Sequence, residues 1–143
     1  METKDTDGGR KKYWKIAYWI LLISWVTGAI LYMARIKGGF FTNYLSDLTF
    51  PAWFYIHIRG LSTTARPLPN ILFFKDWFGV NANRSLIAIL TVGIISEIKT
   101  FYWPTGLITG TFDYLDIVAY ALGLLVCYYF DVRLTRQAIR TRD

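Results

Sequence analysis

The chain has 143 residues, enough for one domain, with 54% hydrophobic residues, 18% aromatic residues and a formal net charge of +6. The positive charge does not indicate a nucleic-acid-binding protein, because the sequence has no dense basic tract of the kind found in soluble proteins of that class. Membrane proteins reach the same balance by gathering Lys and Arg at their cytoplasmic ends. The single cysteine, Cys127, excludes an internal disulfide and lies in an apolar run, where it is expected to be a small buried hydrophobe.

The N-terminal third predicts a polar tail and one long apolar helix. Residues 1–12 are polar and contain two glycines, and they predict a disordered cytoplasmic tail. The following run, 13–33, is long enough to cross a hydrocarbon core of about 30 Å as a helix. It is too long for a signal-peptide core, and no small-residue cleavage site follows it. Ser24 and Gly28 form a small-residue stripe that would let another helix approach closely.

The second predicted helix, 40–58, is the least typical of a membrane span. Asn43 and Asp47 lie one turn apart near its start, and Pro51 lies in its middle. Because proline has no backbone N–H, the carbonyl of Asp47 loses its helical donor. His57 lies at the end of the helix, and we expect it to be an interfacial residue rather than a catalytic one.

The rest of the chain predicts two more spans separated by polar links. A long link, 60–84, contains a short apolar segment, about 70–80, that is expected to lie in the cytoplasmic interface or packed under the bundle. The third helix is predicted over 85–102 and the fourth over 113–130. The charged residues 131–143 predict a cytoplasmic helix or tail that continues the fourth span.

The distribution of basic residues predicts the topology. With the N-terminus inside, only Arg35, Lys37 and Lys99 of the 16 basic residues fall on the outer side. Such a bias is the positive-inside signal. The sequence therefore predicts an all-α integral membrane bundle, a transmembrane domain over 13–130 with four transmembrane helices, and both termini in the cytoplasm.

Four acids fall at a similar depth on the outer side. They are Asp47 on the second helix, Glu97 on the third, and Asp113 and Asp116 at the start of the fourth. A charged group at the bilayer centre costs about 2.5–3.5 kcal/mol even on lenient scales, so these side chains are expected to face inward. Tyr120 shares the face of Asp113 and Asp116 by steps of three and four. The predicted cavity residues are Asn43, Asp47, Glu97, Asp113, Asp116 and Tyr120.

A purely architectural role for these acids is an equal alternative. They would then bridge helices by pairing with Arg35, Lys37 or Lys99, or by bonding to Tyr, Asn and Ser side chains, and Asp113 would cap the fourth helix. The remaining acids near the membrane, Asp76 and Asp131, fall on the cytoplasmic side and are expected to be ordinary solvated charges.

The sequence carries no catalytic or cofactor motif. Zinc-ligand spacing, a phosphate-cradling glycine loop and a nucleophile elbow are absent, so no cofactor is expected. If a hard cation such as Mg²⁺ or Ca²⁺ binds, its ligands would be Asp47, Glu97, Asp113 and Asp116. Acid–base catalysis by paired carboxylates stays an open alternative, although the sequence favours a protein that is not an enzyme.

Two segments resemble the VanZ-like family. Ser96-Glu97 followed by 110–123 (GTFDYLDIVAYALG) is similar to the C-terminal half of that family, and 43–47 (NYLSD) is similar to an acidic second-helix motif in its small bacterial relatives. The chain looks nearer to those uncharacterised relatives than to VanZ proper. The resemblance implies a four-helix fold and a cell-envelope role in the bacterial inner membrane, in a family associated with glycopeptide resistance.

Two functional hypotheses follow. In the first, the acidic cavity faces outward and binds a cation or the polar headgroup of an envelope lipid. In the second, the chain is a non-catalytic subunit or oligomeric pore of a larger membrane complex, or a homo-oligomer, assembled through the Ser24/Gly28 stripe and residues 131–143. The lipid bilayer is a partner in both.

Overall fold

The computed structural model describes residues 3–36, 38–62, 77–102 and 113–140. At 3–8, 40–43, 100, 101, 138 and 140 it describes the backbone alone. This part of the chain is all helical and contains no strand. Its helices are α1 (Thr3–Met33), α2 (Phe40–Arg59), α3 (Ala82–Tyr102) and α4 (Tyr114–Arg140).

The helices agree with the predicted spans in their centres and extend beyond them at their ends. Helix α1 begins at Thr3, so the prediction of a disordered stretch up to residue 12 is wrong. Helix α4 runs to Arg140, ten residues past the predicted span, as expected for a helical continuation.

Helix α3 begins three residues earlier than predicted because Asn81 caps it. The Asn81 side-chain oxygen accepts a hydrogen bond from the backbone N–H of Asn83 at 2.9 Å, which satisfies one of the donors that a helix start leaves unpaired. Of the predicted interfacial segment 70–80, only 77–80 lies within the described residues. There the carbonyl of Phe78 accepts a hydrogen bond from the Ser85 hydroxyl, so this end of the link is tied to α3.

Helix α2 is the centre of the bundle and packs against each of the other three helices. Two glycines allow its closest contacts. A Cβ added at Gly28 of α1 would lie 2.7 Å from the backbone nitrogen of Ser46, and one added at Gly123 of α4 would overlap the carbonyl oxygen of Leu48. Gly28, predicted to mediate assembly between chains, therefore contacts α2 of its own chain.

A stack of aromatic rings fills the contact between α1 and α2. Trp25 and Trp53 are stacked at 5.5 Å and 11°, and Trp53 and His57 at 5.6 Å and 23°. The Tyr18 hydroxyl lies 3.5 Å from Nδ1 of His57. Half-buried His57 is thus part of this aromatic contact, and its interfacial position stays a prediction.

The outer faces of the bundle are apolar. Two helices, over Gly9–Met33 and Tyr114–Gln137, are long and apolar enough to cross a membrane. Within the most apolar 18 residues of each helix, 6% of the residues of the first and 28% of those of the second are buried inside the protein, so most of these residues face outward. The core helix of a soluble protein buries its apolar surface. The outward-facing apolar surfaces of these two helices therefore distinguish them from such a core helix.

Candidate functional site

Hydrogen bonds between helices define two ends of the molecule. At one end, Asp131 of α4 pairs with Arg59 at the end of α2 at 2.9 Å, and Tyr128 donates to Asn83 at the start of α3 at 2.6 Å. At the other end, the Tyr44 hydroxyl near the start of α2 donates to Oδ2 of Asp113, just before α4, at 2.8 Å. The starts of α2 and α4 therefore lie together, as the predicted up-and-down arrangement requires.

The four acids predicted for the cavity lie at this second end, which we call the acidic end. Asp116 interacts electrostatically with Asp47, Glu97 and Asp113, and Glu97 also interacts with Asp47 and Asp113. All four carboxylates are partly buried. Three helices thus bring four carboxyl groups near one another. That these groups bind a ligand stays a prediction.

The acidic end has no paired base within the described ranges. Neither Arg35 nor Lys99 forms an ion pair with any of the four carboxylates there, and Lys37 lies outside those ranges. Asp113 instead bridges α2 and the start of α4 through the Tyr44 hydroxyl, so at this acid the architectural alternative is met by a tyrosine and not by a base. Carboxyl groups held together without a base are stabilised either by protonation or by a bound cation.

Asp113 serves mainly as the cap of α4. Its Oδ1 accepts the backbone N–H of Leu115 at 2.9 Å, the usual contact of an N-cap carboxylate, and its Oδ2 accepts the Tyr44 hydroxyl. Both oxygens have a partner, so the capping role considered for Asp113 is confirmed. Asp47, Glu97 and Asp116 are the acids left to face a ligand.

Tyr120 belongs to the contact between α3 and α4 rather than to the acidic end. Its hydroxyl donates to the carbonyl of Ile89 at 3.1 Å, and its ring lies against Gly93. About two helical turns separate Ile89 from Glu97 on α3. The side chain of Asn43 lies outside the described residues, so its predicted place in the cavity stays a prediction.

The four acids suggested as ligands of a hard cation, Asp47, Glu97, Asp113 and Asp116, are not arranged around one ion position in the described residues. Among the described side chains, no set of three or more His, Cys, Asp or Glu residues is arranged to hold one metal ion. A hydrated cation or an organic ammonium group spans more distance than a bare ion and satisfies carboxylates that do not converge on one point.

The opposite end contains the polar network that the sequence did not predict. Asp131 is only 3% exposed, so the expectation of a solvated charge is wrong. Its Oδ2 accepts bonds from Arg59 Nε at 2.9 Å and from the Tyr55 hydroxyl at 2.8 Å. Arg59 also donates to the carbonyl of Gly79 at 2.6 Å, which ties the end of the 60–84 link to α2. A buried acid keeps its charge only with such partners.

Comparison with known proteins adds no identification. No family model, no curated protein and no solved structure matches the chain.

Proposed function

We propose that this chain is a VanZ-like protein of the bacterial cytoplasmic membrane, with four membrane spans and both termini inside. Two apolar helices with outward-facing surfaces support membrane insertion. The co-location of helix ends supports an up-and-down bundle, since α2 and α4 start at the same end. In this arrangement α2 crosses the bilayer at the centre of the bundle, whereas α3 has an outer face on which Ile87, Val92 and Ile95 are exposed.

The acidic end is the proposed binding site for a cation or for the polar headgroup of an envelope lipid. The observation that carries this proposal is the group Asp47, Glu97 and Asp116, which interact electrostatically with one another and pair with no Lys or Arg in the described ranges. Charged side chains within membrane proteins are costly and usually mark ligand or ion sites. An ammonium headgroup such as that of phosphatidylethanolamine has the charge that these carboxylates attract.

Thermal unfolding of the full chain in mild detergent tests this proposal. Phosphatidylethanolamine, MgCl₂ and CaCl₂ are added separately, since a ligand that binds the folded state raises its stability by about 2.7 kcal/mol at one hundred times its dissociation constant. We expect the effective ligand to raise the midpoint for the wild type. E97Q and D116N should remove that rise while expression and membrane insertion stay intact.

Lys99→Gln is the matched control, because it changes one charge two residues from Glu97 and removes no acid. Its ligand-induced rise should persist. A wild type that responds to none of the three additions, or E97Q and D116N proteins that both respond fully, would contradict the proposed site. Alkaline carbonate tests the membrane assignment separately: release of the protein from membranes by this treatment would contradict it.

Assembly into a larger complex or pore is the second candidate. Its support is the apolar outer surface of α1, where Ile20 is 58% and Ile23 63% exposed. The Gly28 stripe no longer supports it, because Gly28 packs against Ser46 within the chain. Cross-linking in mild detergent decides, and a strict monomer contradicts this candidate.

A further inference from the structure

The end opposite the acids has an exposed ring of basic side chains, which we call the basic collar. Its members come from three helices: Lys12, Lys15, Arg84, Arg133 and Arg136. Their common level follows from contacts between helices. Tyr128 bonds to Asn83, next to Arg84, and Tyr18, one turn after Lys15, contacts His57 near the end of α2.

Asp131, the acid that precedes Arg133 and Arg136 in the sequence, does not balance the positive charge of the collar. Asp131 is buried, and its ion pair is with Arg59. Among the described side chains, neither Arg133 nor Arg136 has a carboxylate partner. The exposed surface therefore keeps a net positive charge.

Helix α4 forms a shallow groove within this collar. The groove has a volume of about 510 Å³. Its lining residues are Tyr128, Tyr129, Val132, Arg133, Arg136 and Gln137. The Arg133 guanidinium lies 6.0 Å from the centre of the Tyr129 ring, and its Nη1 lies 3.4 Å from the Tyr129 hydroxyl. Tyr129 thereby positions one of the two cations.

An apolar stripe leads into the groove along the same face of α4. Leu122, Val126 and Tyr129 are 50%, 55% and 56% exposed, and they precede Arg133 at steps of four, three and four. Arg136 continues the face by a step of three. Along this face, two apolar side chains are followed by the tyrosine ring and then by the two arginines. The same order of apolar and charged groups is found in a lipid, where an acyl chain ends in a charged headgroup.

We propose that this face of α4 binds one anionic phospholipid, with its phosphate at Arg133 and Arg136 and an acyl chain along Leu122 and Val126. Charge complementarity selects the lipid class, and guanidinium groups suit phosphate oxygens. The inference rests on the membrane insertion proposed above but not on the acidic site, because the two lie at opposite ends.

Native mass spectrometry of the full chain released from detergent tests the inference. The protein is titrated with phosphatidylglycerol and, in parallel, with zwitterionic phosphatidylcholine. We expect preferential retention of phosphatidylglycerol. R133Q/R136Q should weaken its binding by about fivefold for each Arg, the effect of one basic residue near an anionic headgroup.

The control R35Q/K99Q removes two exposed basic residues from the opposite end and should bind as the wild type does. Equal retention of the two lipids, or equal losses in both double variants, overturns the inference. So does displacement of the lipid by soluble glycerol phosphate in the same concentration range, because a free phosphate ester would then be the ligand. An inserted protein with any of these outcomes contradicts the lipid site alone, while a failure to insert contradicts the proposed function.

Discussion

The two ends of the bundle use aspartate in opposite ways. At the basic end, Asp131 is almost fully buried and is matched by Arg59 and Tyr55. At the acidic end, Asp47 and Asp116 are only partly buried, interact with each other and have no basic partner in the described residues. Burial with a partner makes an acid structural, whereas partial exposure among like charges leaves it able to attract a ligand. The difference arises from neighbours and not from residue type.

The largest effect is expected from D131N, which removes the charge partner of Arg59. A buried guanidinium without its carboxylate should lower the free energy of unfolding by about 3–5 kcal/mol. Denaturation in mixed detergent micelles measures this loss. Replacing both partners, as R59M/D131L, should cost less than D131N alone, because no buried charge is then left unpaired. A D131N protein as stable as the wild type would show that the pair is not structural.

The second effect is expected from G123A, which places a methyl group against the carbonyl of Leu48. Helices α2 and α4 must then separate, and overpacking of this kind costs about 1–3 kcal/mol. The control is G9A on α1, where an added Cβ meets nothing within 4 Å. G9A should be neutral or stabilising by up to about 1 kcal/mol through helix propensity. Equal stability of the two variants in denaturant titrations would contradict the close approach of α2 and α4.

The third effect is expected from D113A at the acidic end. Loss of the N-cap should lower the free energy of unfolding by about 1 kcal/mol, because the N–H of Leu115 loses its acceptor. D113N retains an acceptor oxygen and should recover most of the loss, a result that a purely electrostatic role would not give. Thermal unfolding of both variants side by side makes the measurement.

The smallest effect, and one of opposite sign, is expected from D116N without ligand. Removing one of several like charges should raise the free energy of unfolding by about 0.5 kcal/mol or less, since repulsion with Asp47 and Glu97 falls. Added salt should shrink the gain by screening the exposed part of the repulsion. A clear loss of stability in D116N would show that Asp116 stabilises the fold as Asp131 does. The proposed difference between the two ends would then be wrong.

Periodicity and the distribution of charge predicted the helix centres and the shared level of the four acids. The length of α1 was underestimated because its N-terminal residues are polar, and polarity alone does not separate a tail from an exposed helical end. Tyr120 was placed with the acids from its face on α4. Helical position cannot reveal that its ring lies against Gly93 and its hydroxyl reaches the carbonyl of Ile89.

The Arg59–Asp131 pair was missed although both residues had been assigned to the same side. The sequence did contain a signal for this pair, because the two residues have opposite charges and lie at the ends of spans on the same predicted side of the membrane. Whether they meet depends on the contact between α2 and α4, which Gly123 and Leu48 determine. Such a contact between distant segments cannot be obtained from spacing within either helix.

The central position of α2 bears on how the protein is made. Helix α2 contains Asp47 and Pro51 and, unlike α1 and α4, is not among the helices apolar enough to cross a membrane by composition. In the proposed membrane arrangement, Gly28 of α1 offers the surface against which α2 packs as the chain inserts. Arg59 of α2 gains its acid partner only when α4, the last of the four helices, has been added.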